Sequence, residues 1–176
     1  MRELNKQDML NYFEEINRKL ATDEKHGDIL IAGGAAMTLV HNARLSTHDI
    51  DAIFRPKEDL RQMVSDMAKA YELNDDWLND GVKGFITESM SHSVILSYSN
   101  LTVSSLDAEP LLAMKLTSAR TLSKDMEDSI FLMKALSIKS LEELFAIIEK
   151  YVHPNMRTVQ AKYFTMEAFE RYSNAQ

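Results

Sequence analysis

The stretch from Ile29 to Phe54, ILIAGGAAMTLVHNARLSTHDIDAIF, leaves this chain few ways to fold. An apolar run from Asp28 to Ala32 enters the Gly33-Gly34 pair, and Ala35 to His41 has so little polar surface that it is expected as a buried helix. A polar loop, Asn42 to His48, then leads to a second apolar run, Asp49 to Phe54, which reads as a strand. In an extended strand residues i and i+2 share a face, so Asp49 and Asp51 are expected to present their carboxylates together while Ile50 and Ile53 turn elsewhere. Two like charges on a mostly apolar strand are costly without a counter-charge, and a divalent cation with hard oxygen ligands, Mg²⁺ or Mn²⁺, supplies one. The glycine pair adds a side-chain-free turn whose backbone N–H groups suit an anion such as a polyphosphate. Alone, D-x-D more often marks an acidic strand face and a glycine pair a plain turn. Together they read as one phosphate and metal unit.

The flanks read as support. Asn5 caps a first helix with Met9, Leu10, Phe13, Ile16, Asn17 and Leu20 as its stripe, and Gly27 separates that helix from the first strand. Pro56 stops the second strand, and Lys57 to Glu72 reads as a surface helix turning Leu60, Met63, Val64, Met67 and Tyr71 inward. Trp77 and Leu78 are apolar anchors between turns. Val94 to Leu96 and Leu101 to Val103 form a hairpin turning at Ser99-Asn100. From Asp107 the pattern is helical: Pro110 in a first turn, a second start near Ser123, a capping box at Ser140 and an amphipathic helix from Thr158 to Tyr172. The expectation is an α/β (α+β) fold, with a core over residues 1–106 and a helical C-terminal part over 107–176 packed on it.

Composition narrows the function. A net charge of −7 argues against a general nucleic-acid-binding surface while allowing a local basic groove. With no cysteine there is no disulfide framework, which fits a cytoplasmic protein. The N-terminus lacks the continuous apolar core of a secretory signal, and the longest apolar run, near residues 29–40, is too short to span a bilayer. The five histidines lack the spacing of a helical metal site.

The order GG, helix, then R-x-x-T-x-D-I-D resembles the nucleotidyltransferases of the DNA polymerase β superfamily, and most closely the small bacterial branch with the AbiEii-type toxins and minimal nucleotidyltransferases. Trp77-Leu78-Asn79-Asp80, the LLAMKL segment holding Lys115, and Lys124-Asp125-Met126-Glu127-Asp128 extend the match over roughly residues 28–136. The resemblance implies a nucleotidyltransferase-like small mixed sheet flanked by helices and followed by a helical half. It implies a Mg²⁺-dependent transfer of a nucleoside monophosphate from a nucleoside triphosphate. The acceptor classes are tRNA, a protein hydroxyl or a small molecule such as an aminoglycoside, and an antitoxin is an expected partner. Asp49 and Asp51 would hold the metal, Gly33 and Gly34 the outer phosphates, with Arg44, Thr47 and Asp125 as nucleotide contacts, Lys115 against phosphate charge and Asp128 as third ligand or base. Their plain readings are loop hydrogen bonding for Arg44 and Thr47, a lysine snorkelling over an apolar face for Lys115, and a solvated, salt-bridged surface for Asp125 and Asp128. Many superfamily members place a third carboxylate on a later strand, and neither hairpin strand carries one. Either Asp125 or Asp128 supplies it, or the protein is an inactive nucleotide- or partner-binding module.

Overall fold

Asn5 and Asp8 cap the first helix reciprocally: the Asn5 side chain accepts from the Asp8 N–H at 3.0 Å, and the Asp8 carboxylate accepts from the Asn5 N–H at 3.1 Å. The computed structural model describes residues 3–118 and 123–175. The chain divides into two units, Met1–Ile86 with His92–Leu106, and Thr87–Ser91 with Asp107–Gln176.

In the first unit, β1 (Leu4–Asn5) leads into α1 (Lys6–Thr22), β2 (Gly27–Ile31) and α2 (Gly33–Leu39). The chain continues through β3 (Ser46–Thr47), β4 (Ile50–Arg55), α3 (Lys57–Ala70), β5 (Leu78–Asn79), a 3-10 turn at Gly81–Gly84, β6 (His92–Ser97) and β7 (Leu101–Leu106). The main sheet runs β5-β4-β2-β7-β6, with β4 parallel to β5, β2 parallel to β7, and the other pairs antiparallel. Its register separates two faces. Gly27, Ile29 and Ile31 of β2 align with Leu101, Val103 and Ser105 of β7, and Ile29 and Ile31 with Phe54 and Ala52 of β4; all are buried. On the other face Leu30, Ile53, Thr102 and Asp51 are only half-buried, as expected of a sheet more fully packed on one side.

Helices α1 and α3 pack on each other and on the sheet, α1 burying Met9, Tyr12, Phe13, Ile16 and Leu20 and α3 burying Leu60, Met63, Val64, Met67 and Ala68. Trp77 joins them: its ring is buried, its indole N–H donates to the Val64 carbonyl at 3.1 Å, and it meets Tyr12 edge-on at 5.2 Å.

Several local expectations change. Helix α2 starts at Gly33 and ends at Leu39, because the Ala43 N–H turns back to the Met37 carbonyl and closes the chain there. Strand β4 begins at Ile50, leaving Asp49 just before it. Ile53 shares the face of Asp51, as period-two alternation requires, and it is Ala52 that joins Ile50 in the buried layer. Tyr71 is 42% exposed, past the last turn of α3, yet its ring reaches Tyr12 at 5.6 Å. The loop before Asp49 contains β3, which pairs antiparallel with β1, so the N-terminus pins Thr47.

The second unit is a helical cluster: α4 (Ala108–Thr117), α5 (Ser123–Leu136), α6 (Leu141–Tyr151), a 3-10 turn at Pro154–Met156 and α7 (Val159–Asn174). Helix α4 is its core, buried from Pro110 to Thr117 and packed by α5, α6 and α7. Ser140 and Thr158 cap α6 and α7 by accepting from Glu143 and Ala161 N–H groups, and the Tyr172 hydroxyl donates to the Ile138 carbonyl at 3.0 Å. Among the described residues no helix is long and apolar enough to cross a membrane.

Candidate active site

At the end of β2 the chain turns sharply into α2. Gly33 adopts φ +59°, a conformation that costs a residue with a Cβ, and a Cβ built there would lie 2.6 Å from Oδ2 of Asp51. The Asp51 carbonyl also accepts from the Ala32 N–H at 2.9 Å, so both the backbone and the carboxylate of Asp51 face this turn. At Gly34 a Cβ would run into the Thr47 hydroxyl and lie 3.2 Å from a terminal nitrogen of Arg44. Lacking side chains, the two glycines let Asp51 approach from one direction and Thr47 with Arg44 from another. Residues far apart along the stretch thus converge on one turn. Thr47 is 4% exposed, held by the β1–β3 pairing.

Asp49, just before β4, is held from β5. Its Oδ2 accepts from the Asn79 carboxamide at 3.1 Å, and β5 places Asn79 in register with Asp51. The segment carrying Asn79 is fixed by its neighbour: Asp80 bonds Lys57 at 2.7 Å and Arg61 at 3.3 Å, which holds the Asp80 carboxyl below its ordinary range, with the Lys57 hydrogen bond as the largest cause. Asn79 was not singled out as a site residue, although it lies in the Trp77–Asp80 segment. A carboxamide beside two carboxylates is a signal that only the pairing of β5 with β4 makes visible.

In the second unit Lys115, Asp125 and Asp128 come together. The Lys115 ammonium lies 2.7 Å from Asp125 and 2.8 Å from Asp128, with the three residues 8%, 8% and 2% exposed. Neither a snorkelling lysine nor a solvated acidic face describes this: α4 is buried from Pro110 to Thr117, and α5 brings both carboxylates against Lys115 there. The Asp125 carbonyl also accepts from the Ser129 hydroxyl at 2.7 Å, which fixes the first turn of α5.

Among the described residues no group of three or more histidine, cysteine, aspartate or glutamate side chains could hold a metal ion. A cage built wholly from protein is therefore not the fit.

The family whose model matches residues 7–175 is described as nucleotidyltransferase of unknown function (DUF6036). The chain belongs to this family. The nucleotidyltransferase-like architecture is also seen in a solved relative, the crystal structure of an antigenic nucleotidyltransferase-like protein from Paracoccidioides brasiliensis. The two are 13% identical, with a TM-score of 0.52 over 97% of this chain and 90% of that one. At that identity the likeness is one of fold. No curated protein matches the chain. In this member of the nucleotidyltransferase family, Asp51, Arg44 and Thr47 meet at the glycine turn within the first unit, and Asp49 is held by Asn79 just before β4.

Proposed function

We propose that the protein transfers a nucleoside monophosphate from a nucleoside triphosphate to an acceptor hydroxyl, with Asp49 and Asp51 holding Mg²⁺ or Mn²⁺. The carrying observation is the convergence of Asp51, Thr47 and Arg44 on the glycine turn. Mg²⁺ held by Asp49 and Asp51 would offset the negative charge that the phosphates and the attacking hydroxyl concentrate. Gly33 and Gly34 carry no side chain to keep phosphates from the turn, and Arg44, beside Gly34, adds a cation that can take phosphate oxygens in a forked geometry. The buried Thr47 holds the loop carrying Arg44 in place. Lys115, Asp125 and Asp128 form a buried charge cluster within the second unit, and a role for them toward the nucleotide rests on the resemblance alone. Acceptors consistent with the resemblance are tRNA, a protein hydroxyl or a small molecule. The narrower reading, a cytoplasmic toxin neutralised by an antitoxin, rests on the AbiEii-like motif order alone.

A second reading is favoured by one observation. Among the described residues of the first unit no third acidic side chain joins Asp49 and Asp51, and within the second unit the Lys115 ammonium is engaged by two carboxylates. These features suit a module that binds a nucleotide or partner without transferring anything.

Incubation with each of the four labelled nucleoside triphosphates, Mg²⁺ and cell lysate separates the two. Transfer of label by the parent, and its loss in Asp49→Asn with Asp51→Asn, is expected. Tight metal-nucleotide binding without transfer to any acceptor supports the binding module, and unchanged binding in the double variant overturns both readings of this site.

A further inference from the structure

The geometry points to Asn79 as a positioning residue for Asp49, a bracket that sets the orientation of one carboxylate of the pair. The inference rests on the proposed metal-nucleotide reading of Asp49 and Asp51. The Asn79 side chain is used at both ends. Its oxygen accepts from the Gly81 N–H at 2.9 Å, and its nitrogen donates to Asp49 Oδ2 at 3.1 Å and to the Asp76 carbonyl at 3.3 Å. Those partners fix which end is which. A flipped amide would set an oxygen against a carboxylate and an N–H against an N–H, so only one orientation satisfies the network. The carboxamide is therefore locked before any ligand arrives.

A neutral donor suits this place. A carboxylate there would add a third like charge beside Asp49 and Asp51, and a lysine or arginine would compete for the oxygens a cation must share. An amide orients Asp49 Oδ2 without neutralising it and leaves Oδ1 outside this bond. The segment holding the amide is anchored independently, by Asp80 on Lys57 and Arg61 of α3, by the Trp77 indole on Val64, and by the Ile50 N–H donating to the Trp77 carbonyl at 2.7 Å. Two successive residues thus divide the work: Asp80 fastens the turn to α3, while Asn79 reaches across to Asp49, just before β4. Groups that orient metal-binding side chains in this way commonly carry a 10- to 100-fold share of metal affinity, which is roughly the effect expected here.

The test compares Asn79→Ala, Asp80→Ala and Asp49→Asn with the full parent chain, following Mn²⁺ by water-proton relaxation in a mixture of the four nucleoside triphosphates, with thermal unfolding recorded for each. Because Gly81 is exposed, water can take over its N–H, and Asn79→Ala is expected to fold. Asn79→Ala should weaken Mn²⁺ binding by roughly 10- to 100-fold, while Asp80→Ala, which loosens the same turn without touching Asp49, stays near the parent. Equal losses in the two variants would mean that Asn79 only holds the turn, and would overturn the inference. Parent-like binding in Asn79→Ala with loss in Asp49→Asn overturns it while the metal reading stands. Parent-like binding in Asp49→Asn removes the metal reading itself, and the inference with it.

Discussion

Gly33 and Asp51 lie so close that a single carbon added to Gly33 would sit 2.6 Å from the Asp51 carboxylate, at a backbone φ of +59°. Two separate costs follow for Gly33→Ala. The left-handed backbone alone should destabilise by about 1–2 kcal/mol, and displacement of Asp51 adds to it. Adding Asp51→Ala should remove the second cost and leave the first. Urea unfolding of the two single variants and the double variant measures this, and strictly additive losses would show that the two residues do not press on each other.

Gly34 has a different constraint, since its φ lies outside the left-handed region and only space forbids a side chain. Gly34→Val is expected to push Thr47 and Arg44 aside and loosen the β1–β3 pairing as well as weaken any phosphate contact. Gly34→Ala with Thr47→Ala should be milder than the sum of the single changes, with a coupling of about 0.5–3 kcal/mol. An additive cycle would place the Thr47 hydroxyl elsewhere.

Lys115→Met removes the cation from a buried group and leaves Asp125 and Asp128 facing each other in an apolar core. A loss of about 3–5 kcal/mol in denaturant unfolding is expected. Lys115→Met with Asp125→Asn and Asp128→Asn should recover part of it, because no uncompensated charge is then buried. If Lys115→Met unfolds like the parent, the cluster is wetter than its burial implies.

Glu109 offers a pH-dependent contact in the second unit. Its carboxylate accepts from Lys150 at 2.8 Å and from the Tyr151 hydroxyl at 2.9 Å, and these bonds, Lys150 first, lower its proton affinity below the ordinary value near 4.5. A lowered folded-state value means that the unfolded chain takes up the proton first as pH falls. The contribution is therefore present above the ordinary value and lost as pH drops through the folded one. Glu109 is partly exposed, so the parent should exceed Glu109→Gln by about 1 kcal/mol or less at neutral pH. The gap should close as pH falls through the lowered folded-state value. A gap that persists at low pH would mean the loss is one of packing.

Much of this molecule could be read along the chain because its causes are local. The caps at Asn5, Ser140 and Thr158 depend on residues a few positions away, and the buried stripe of α3 follows from helical periodicity up to Met67. The glycine turn, its helix and the apolar strand after them are local too. Their order alone placed Gly33, Gly34, Arg44, Thr47, Asp49 and Asp51 in one stretch.

What holds Asp49 and Thr47 in place is long-range pairing. Asp49 ends outside its strand, and its oxygen finds Asn79 only because β5 pairs parallel with β4; Thr47 is fixed because β3 pairs with β1 at the far N-terminus. Neither pairing leaves a trace in local composition, since two-residue strands have no periodicity to read. Lys115 shows the same limit. Along the chain it is one charge on a helix and its two aspartates a polar face, and only the packing of α5 on α4, which is buried from Pro110 to Thr117, turns the three into a buried ion cluster.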